Sequence, residues 1–493
     1  MSISQIITDF ATLAIQAGGW MELDRLYLQN KIGAAIGETA LEKTEPVPSP
    51  PDVLTLLDQL IKQAVKNQVI DSQAAVAKEQ LRVQLLDFLT PPPSVINAFF
   101  AQHYAKKPEE ATDYFYQLSK NNQAIQSLAK TTQYFFTATT TYGALQFMFK
   151  DATLNQGQQE LIAAAPSAKA YPRCPLCLEN EGYKGRSDYP ASTNRRIIRM
   201  NLDGESWGFS YAPYELYKEQ ALIASEAHEE MTLTATTFAQ LLRLTEILPH
   251  YCFVGAQADL FPLQGELVTH KHYQTGQQEF PLATAEIETY FDLPDYPLMN
   301  AGIVKWPMAT LRLQGPNPDE LVAAAAQILT KWRSYSDETA GVQATTDDGQ
   351  PSHSITAIAR KKDLLFQLDL VLRDVNAVNQ YAADHLPLEA STDTQPLEKI
   401  GLLNVMGFFP LASAVKKEYE DTVHYLSQEP THLAEPTHLW AEQLLQSTQT
   451  KTTAQELVHT GLGQLYLEKL AAASAFKPTK AGQAALQRFI ASL

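Results

Sequence analysis

One order of elements occurs twice along this chain, and it confines the fold more than any other feature of the sequence. Ala221–Ser225 reads as a strand, a helix opens at the cap Thr234 or Thr236 and ends near Leu248–Pro249, and Tyr251–Val254 and Glu266–Gln274 read as two further strands. Further on, Met308–Leu313 reads as a strand and Pro318–Trp332 as a helix capped by Asn317. Strands at Ser354–Ala359 and Leu364–Leu372 follow. Two more strands, Arg196–Leu202 and Trp207–Tyr211, precede the first copy. A repeated strand–helix–strand–strand unit predicts an α+β fold built by duplication.

The flanks have a different texture. Residues 1–41 and 52–150 read mostly as helix. The run Val53, Leu54, Leu56, Leu57, Leu60, Ile61, Ala64 keeps the helical period and starts after Asp52, a good N-cap closing the Pro-rich linker EKTEPVPSPPD. TPPPS at 90–94 marks a second break before another helix. Ala340–Ser352 and Ala390–Pro396 read as loops, and the last 90 residues or so return to helix. The expected division is a helical region 1–150, a first half 151–300 that carries the chemistry, a second half 301–400 and a helical region 401–493.

Charge narrows the function classes. With 38 basic and 55 acidic side chains the formal charge is −17, which repels a nucleic-acid backbone. Three cysteines, Cys174, Cys177 and Cys252, are too few for a disulfide framework and fit a reducing compartment. The first residues carry Asp9 and no basic leader, so no signal peptide is expected, and no stretch reaches the roughly 18 apolar residues of a membrane span. A cytoplasmic protein without nucleic-acid or membrane partners is the expectation.

The most informative chemistry lies in GELVTHKHYQTG, residues 265–276. Side chains alternate faces on a strand, so His270, His272 and Gln274 share one face at a spacing of about 7 Å. A neutral imidazole attacks phosphorus without first losing a proton, and an amide two residues on can donate to a phosphate oxygen. A surface strand holding two unconnected histidines has the same spacing. Cys174 and Cys177 in CPLC form half of a metal site, with His228, His250 and His270 as nearby histidines; a redox dithiol or two unrelated thiols are the competing readings. Cys252 reads as core. Arg186, Arg195, Arg196 and Arg199 form a basic cluster in an acidic chain, with Arg196 as the phosphate-binding candidate. No P-loop, Rossmann glycine motif or GxSxG elbow is present in the sequence.

HxHxQ on a strand with CxxC upstream resembles the galactose-1-phosphate uridylyltransferases, relatives of the histidine-triad nucleotide enzymes. EEATDYFYQLS (109–119), CPLCLENEGYKGR (174–186), FVGAQADL (253–260), KWRSYSDETAG (331–341), LDLVLR (368–373) and IGLLNVMG (400–407) resemble the second, mainly bacterial class and span most of the chain. The resemblance implies a duplicated histidine-triad-like antiparallel sheet with helices. It also implies a ping-pong reaction in which His272 takes UMP from UDP-glucose and passes it to galactose 1-phosphate, with Gln274 holding phosphoryl oxygens. Zinc-binding members use residues that match Cys174, Cys177, His228 and His270, which implies a structural zinc. A homodimer is implied in the same way.

Some positions depart from the family pattern. AQADLF stands where the family usually reads SNADLP, which places Gln257 at a position expected near the uridylyl group. Thr269 keeps the hydroxyl usual before the first histidine, Lys271 replaces an acidic residue, and a His-rich segment after LDLVLR is missing. Gln257 and Thr269 join Arg196 as candidate substrate-binding residues. Two alternatives share the fold: a nucleotide hydrolase or phosphorylase that also uses His272, and a nucleotide-sugar-binding protein without turnover.

Overall fold

Asp52 caps the helix that the apolar period announced: its side chain accepts from Thr55 N at 3.0 Å, and Leu56, Leu57, Leu60 and Ala64 turn inward along Val53–Lys66. The computed structural model describes residues 1–126, 134–150, 171–260, 270–377, 400–446 and 452–493. They fall into two compact units, one from the described residues among 1–127, 157–215 and 219–228, the other from most of the remainder.

In the first unit, helices α1 (Ile3–Gln16), α2 (Arg25–Ala35), α3 (Val53–Lys66) and α4 (Ala75–Asp87) close around Ile7, Phe10, Leu57, Leu60 and Leu85. Helices α5 (Pro93–Lys106) and α6 (Pro108–Asn121) follow the prolines that start them. The residues among 134–150 correct the helical reading. They belong to the second unit and form a hairpin, β1 (Tyr134–Thr140) and β2 (Gly143–Phe149), because Phe136, Ala138, Leu145 and Phe147 bury one face and Gly143 makes the turn at φ 104°. An antiparallel meander completes the first unit: β3 (Ile198–Leu202), β4 (Glu205–Tyr211) and β5 (Ala221–Ser225). Phe209 of β4 packs its ring 5.9 Å from Phe115 of α6.

The second unit holds the rest of the duplicated order. Helix α7 (Ala235–Ile247) starts at Thr234 and leads to β6 (Phe253–Ala256) and β7 (His272–Gly276). Two strands that the sequence reading missed, β8 (Ile287–Phe291) and β9 (Asn300–Val304), precede β10 (Thr310–Gly315). Helix α8 (Pro318–Ser334) follows, its N-terminus capped by Asn317. The long antiparallel pair β11 (His353–Lys362) and β12 (Leu365–Asp374) completes the copy. Within this unit the strands lie in the order β7-β6-β11-β12-β10-β9-β8. The fold is α+β with an antiparallel, duplicated sheet.

The two copies meet at their last hairpins. Gly255 of β6 faces Ile358 of β11; the other ladder neighbour of Gly255 is Gln274, and that of Ile358 is Asp369. Two residues before each stand His272 and Gln367, so the chemical motif is confined to the first copy. Where the first copy carries Gln274, the second buries an ion cluster. Asp369 is fully buried, Arg312 grips it with Nε 2.7 Å from Oδ1 and Nη2 2.9 Å from Oδ2, and Arg360 Nη1 adds a third bond.

The hairpin β1–β2 takes β13 (Phe408–Leu411) as a parallel third strand. Helices α9 (Ser413–Leu426), α10 (Thr437–Gln446), α11 (Ala454–Ala472) and α12 (Lys480–Ile490) form the expected helical end. No helix among the described residues is long and apolar enough to cross a membrane. The expected loop at 390–396 lies outside the described residues.

Candidate active site and metal centre

The CPLC segment folds as a tight turn. Cys177 N donates to Cys174 O at 3.1 Å, and the buried Asn180 amide donates to the carbonyls of Cys174 and Cys177 at 2.8 and 2.9 Å. Tyr189 Oη fixes the other end of that amide at 2.8 Å. Neither thiol is in a disulfide; the Sγ atoms stand 3.5 Å apart, and His228 Nδ1 lies 3.1 Å from Cys177 Sγ. Hydrogen bonding from Cys177 lowers the pKa of the Cys174 thiol against the opposing effect of burial.

Cys174, Cys177 and His228 thus bring two thiols and one imidazole of the first unit together. Two thiolates on one tetrahedral zinc stand about 3.8 Å apart, given Zn–S bonds of about 2.3 Å. The two thiols and the imidazole, at this sulfur spacing, therefore fit three positions of a four-coordinate ion. Lys271 helps to fix this region: its N–H donates to Glu229 O at 2.7 Å and its Nζ lies 3.5 Å from Glu229 Oε1, beside His228.

His272 opens β7. Its ring is buried, and Nδ1 lies 2.7 Å from the carbonyl oxygen of His270. A carbonyl only accepts, so Nδ1 carries the proton and the lone pair sits on Nε2. Nε2 is buried without a hydrogen-bond partner among the described residues. Burial holds the imidazole pKa down to about 4; the bond to His270 works the other way, and the neighbouring His270 ring adds to the fall. At neutral pH the side chain is an uncharged imidazole with an unprotonated, unpartnered Nε2 among the described residues, which is the form a nucleophile needs.

The next residue, Tyr273, points to the opposite face, where its hydroxyl donates to Gln240 Oε1 of α7 at 2.6 Å. Alternation then turns His272 and Gln274 together away from α7. His270 precedes the strand, so the expected row of three shrinks to two residues on β7 and one ligand just before it. Leu402 covers Gly255, Gln274's ladder neighbour, so closely that a Cβ there would meet it at 2.6 Å.

The other candidates are placed differently. Gln257 is half-buried in the segment just after β6. Thr269 lies outside the described residues. Arg196 is engaged elsewhere: Nε donates to Pro91 O at 2.8 Å, Nη1 to the carbonyls of Thr193 and Arg195, and Nη2 to Asp87 at 2.7 Å and to Thr90 O. All five donors are committed, which makes Arg196 a tie within the first unit. Sequence reasoning also passed over Asn180, Glu229, Asp259 and Arg333; all but Glu229 lie in stretches that carried the resemblance, which was the available signal.

A protein from Enterococcus faecalis named galactose-1-phosphate uridylyltransferase is 41% identical over 488 residues, which cover 99% of this chain and 98% of that one. The chain belongs to the galactose-1-phosphate uridylyltransferase family. Family members from Lacticaseibacillus casei and Streptococcus mutans are 39% and 37% identical, covering 96% and 99% of their own lengths and 96% and 100% of this chain. The family model for the galactose-1-phosphate uridyl transferase N-terminal domain matches residues 19–253. Among solved structures, yeast Ap4A phosphorylase Apa2 is similar with a TM-score of 0.41 and 11% identity, covering 66% of this chain and 99% of that one. For this uridylyltransferase family member, the transferase class follows from full-length relatives.

Proposed function

We propose that this chain transfers UMP from UDP-glucose to galactose 1-phosphate through a uridylyl group carried on His272. The observation that carries the reading is the fixed tautomer of His272, with Nδ1–H bound to the His270 carbonyl and Nε2 left without a partner among the described residues. In the first half-reaction Nε2 attacks the α-phosphorus, a P–N bond forms, and the P–O bond to glucose 1-phosphate breaks. In the second, a phosphate oxygen of galactose 1-phosphate attacks the same phosphorus, the P–N bond breaks, and UDP-galactose leaves. The positive charge of the imidazolium-like intermediate is relieved by the Nδ1–H···O=C bond, which strengthens as charge develops.

Gln274 shares the face of His272 and is assigned the non-bridging phosphate oxygens. Gln257 is assigned to the uridylyl group from the segment that follows the neighbouring strand β6. Transfer of this type depends mainly on positioning and charge stabilisation, so one nucleophile with well-placed donors suffices.

Zinc is the ion proposed for Cys174, Cys177, His228 and His270. Bound there it would supply structural order and no chemistry at phosphorus, and His270 would pass that order to His272 through its carbonyl. Three cysteines outside any disulfide support a cytoplasmic setting. The test is isotope exchange. A ping-pong enzyme moves labelled glucose 1-phosphate into UDP-glucose with no galactose 1-phosphate present; absence of exchange, in an enzyme that completes the full reaction, would exclude a covalent carrier.

A further inference from the structure

We propose that Asp259 is a positioning residue for the transfer, fixing the segment after β6 so that Gln257 stands beside His272; this rests on His272 being the nucleophile. The ladder between β6 and β7 pairs Phe253 with Gly276, Val254 with Thr275 and Gly255 with Gln274. Two further steps in that register bring Gln257 opposite His272. Strand β6 ends at Ala256, however, so another constraint has to hold the backbone at Gln257.

Asp259 supplies it. Its side chain is 7% exposed, with Oδ1 accepting from Ser354 Oγ at 2.6 Å and Oδ2 accepting from Leu233 N at 2.8 Å and Arg333 Nη2 at 2.7 Å. Its own backbone N–H donates to Ser354 Oγ at 3.1 Å. One carboxylate thus joins the segment before α7, the last turn of α8 and the start of β11 to the chain two residues beyond Gln257. Charge-assisted bonds of this kind are short and directional, so they define where the backbone lies. With three donors on two oxygens, Asp259 acts through the segment it holds and not by touching substrate.

The test is a double-mutant cycle on the full chain, reading the single-turnover rate of His272 uridylylation with UDP-glucose as the probe. Asp259→Asn is expected to slow uridylylation about 10–100-fold, the scale of a displacement near 1 Å. In a Gln257→Ala background the same change is expected to cost less than about threefold, because the group it positions is gone. Ser354→Ala, which removes one donor and keeps the charge pair, is expected to give a smaller loss with the same dependence on Gln257. Equal losses in both backgrounds, or an unchanged rate in Asp259→Asn, would overturn the proposal. A wild-type chain that forms no adduct would overturn the transferase reading itself, and the proposal with it.

Discussion

Replacing Asp369 with Asn tests whether the second copy of the duplicated unit has become a structural hub. Burial raises the pKa of this carboxyl, but the guanidiniums of Arg360 and Arg312 outweigh burial and hold it below the usual carboxylate range. The amide would leave two buried cations without a counter-charge, and breaking a buried pair in this way costs about 3–5 kcal/mol. Unfolding entropy of about 2.1 cal/mol/K per residue gives roughly 1 kcal/mol/K for a chain of 493 residues, so the midpoint should fall by about 4 °C.

Arg360→Met should cost less, because Arg312 still holds both oxygens of Asp369. In Asp369→Asn/Arg360→Met the combined loss should be smaller than the sum, since one stranded cation has been removed. Thermal unfolding followed by circular dichroism reads all three. A midpoint unchanged to within 1 °C in Asp369→Asn, or strictly additive losses, would refute the assignment.

Other expectations concern separate parts of the molecule. Arg196→Lys should lower the unfolding midpoint, by an amount consistent with roughly 1.5–3 kcal/mol, while leaving the KM for UDP-glucose unchanged; a raised KM at unchanged stability would return Arg196 to the substrate site. Cys174→Ser should lose zinc, by elemental analysis, and unfold at lower temperature, whereas full metal content would remove the proposed ligand set. Burial raises the carboxyl of Asp374 to about 6, with Lys477 opposing, beside a His353 ring that burial holds near 4 at 3.9 Å. The folded protein keeps that proton where the unfolded chain loses it, so this contribution is complete below about pH 3.9 and lost as pH rises through about 6. Asp374→Asn should therefore gain on wild type by roughly 2 kcal/mol between pH 4.5 and 7.5, and a pH-independent difference in midpoint would contradict it.

Local signals told much of the fold. Asp52, Thr234 and Asn317 announced helix starts because capping is read within three residues, and Ala221–Ser225 announced a strand because a short apolar run needs a sheet to bury it. The hairpin at 134–149 was legible in the alternation of inward Phe136 and Ala138 with outward Phe135, Thr137 and Thr139, yet helical surroundings masked it. Strand β8 gave no alternation to read, since Glu288, Thr289 and Tyr290 are all exposed at the edge of the sheet. Within the site, CxxC and HxHxQ carried their chemistry in their spacing, whereas only the family resemblance chose His228 over His250 as the third ligand. Arg196 shows the limit of local reading: Asp87, which holds it, is 109 residues away in sequence, so a tertiary tie looked like a free cation.

Intact-protein mass after incubation with UDP-glucose, with no acceptor present, tests the central claim most directly. A covalent carrier on His272 predicts a gain of one uridylyl group that galactose 1-phosphate discharges and His272→Ala never acquires. An unchanged mass in a protein that binds UDP-glucose, or an adduct that persists in His272→Ala, would contradict it.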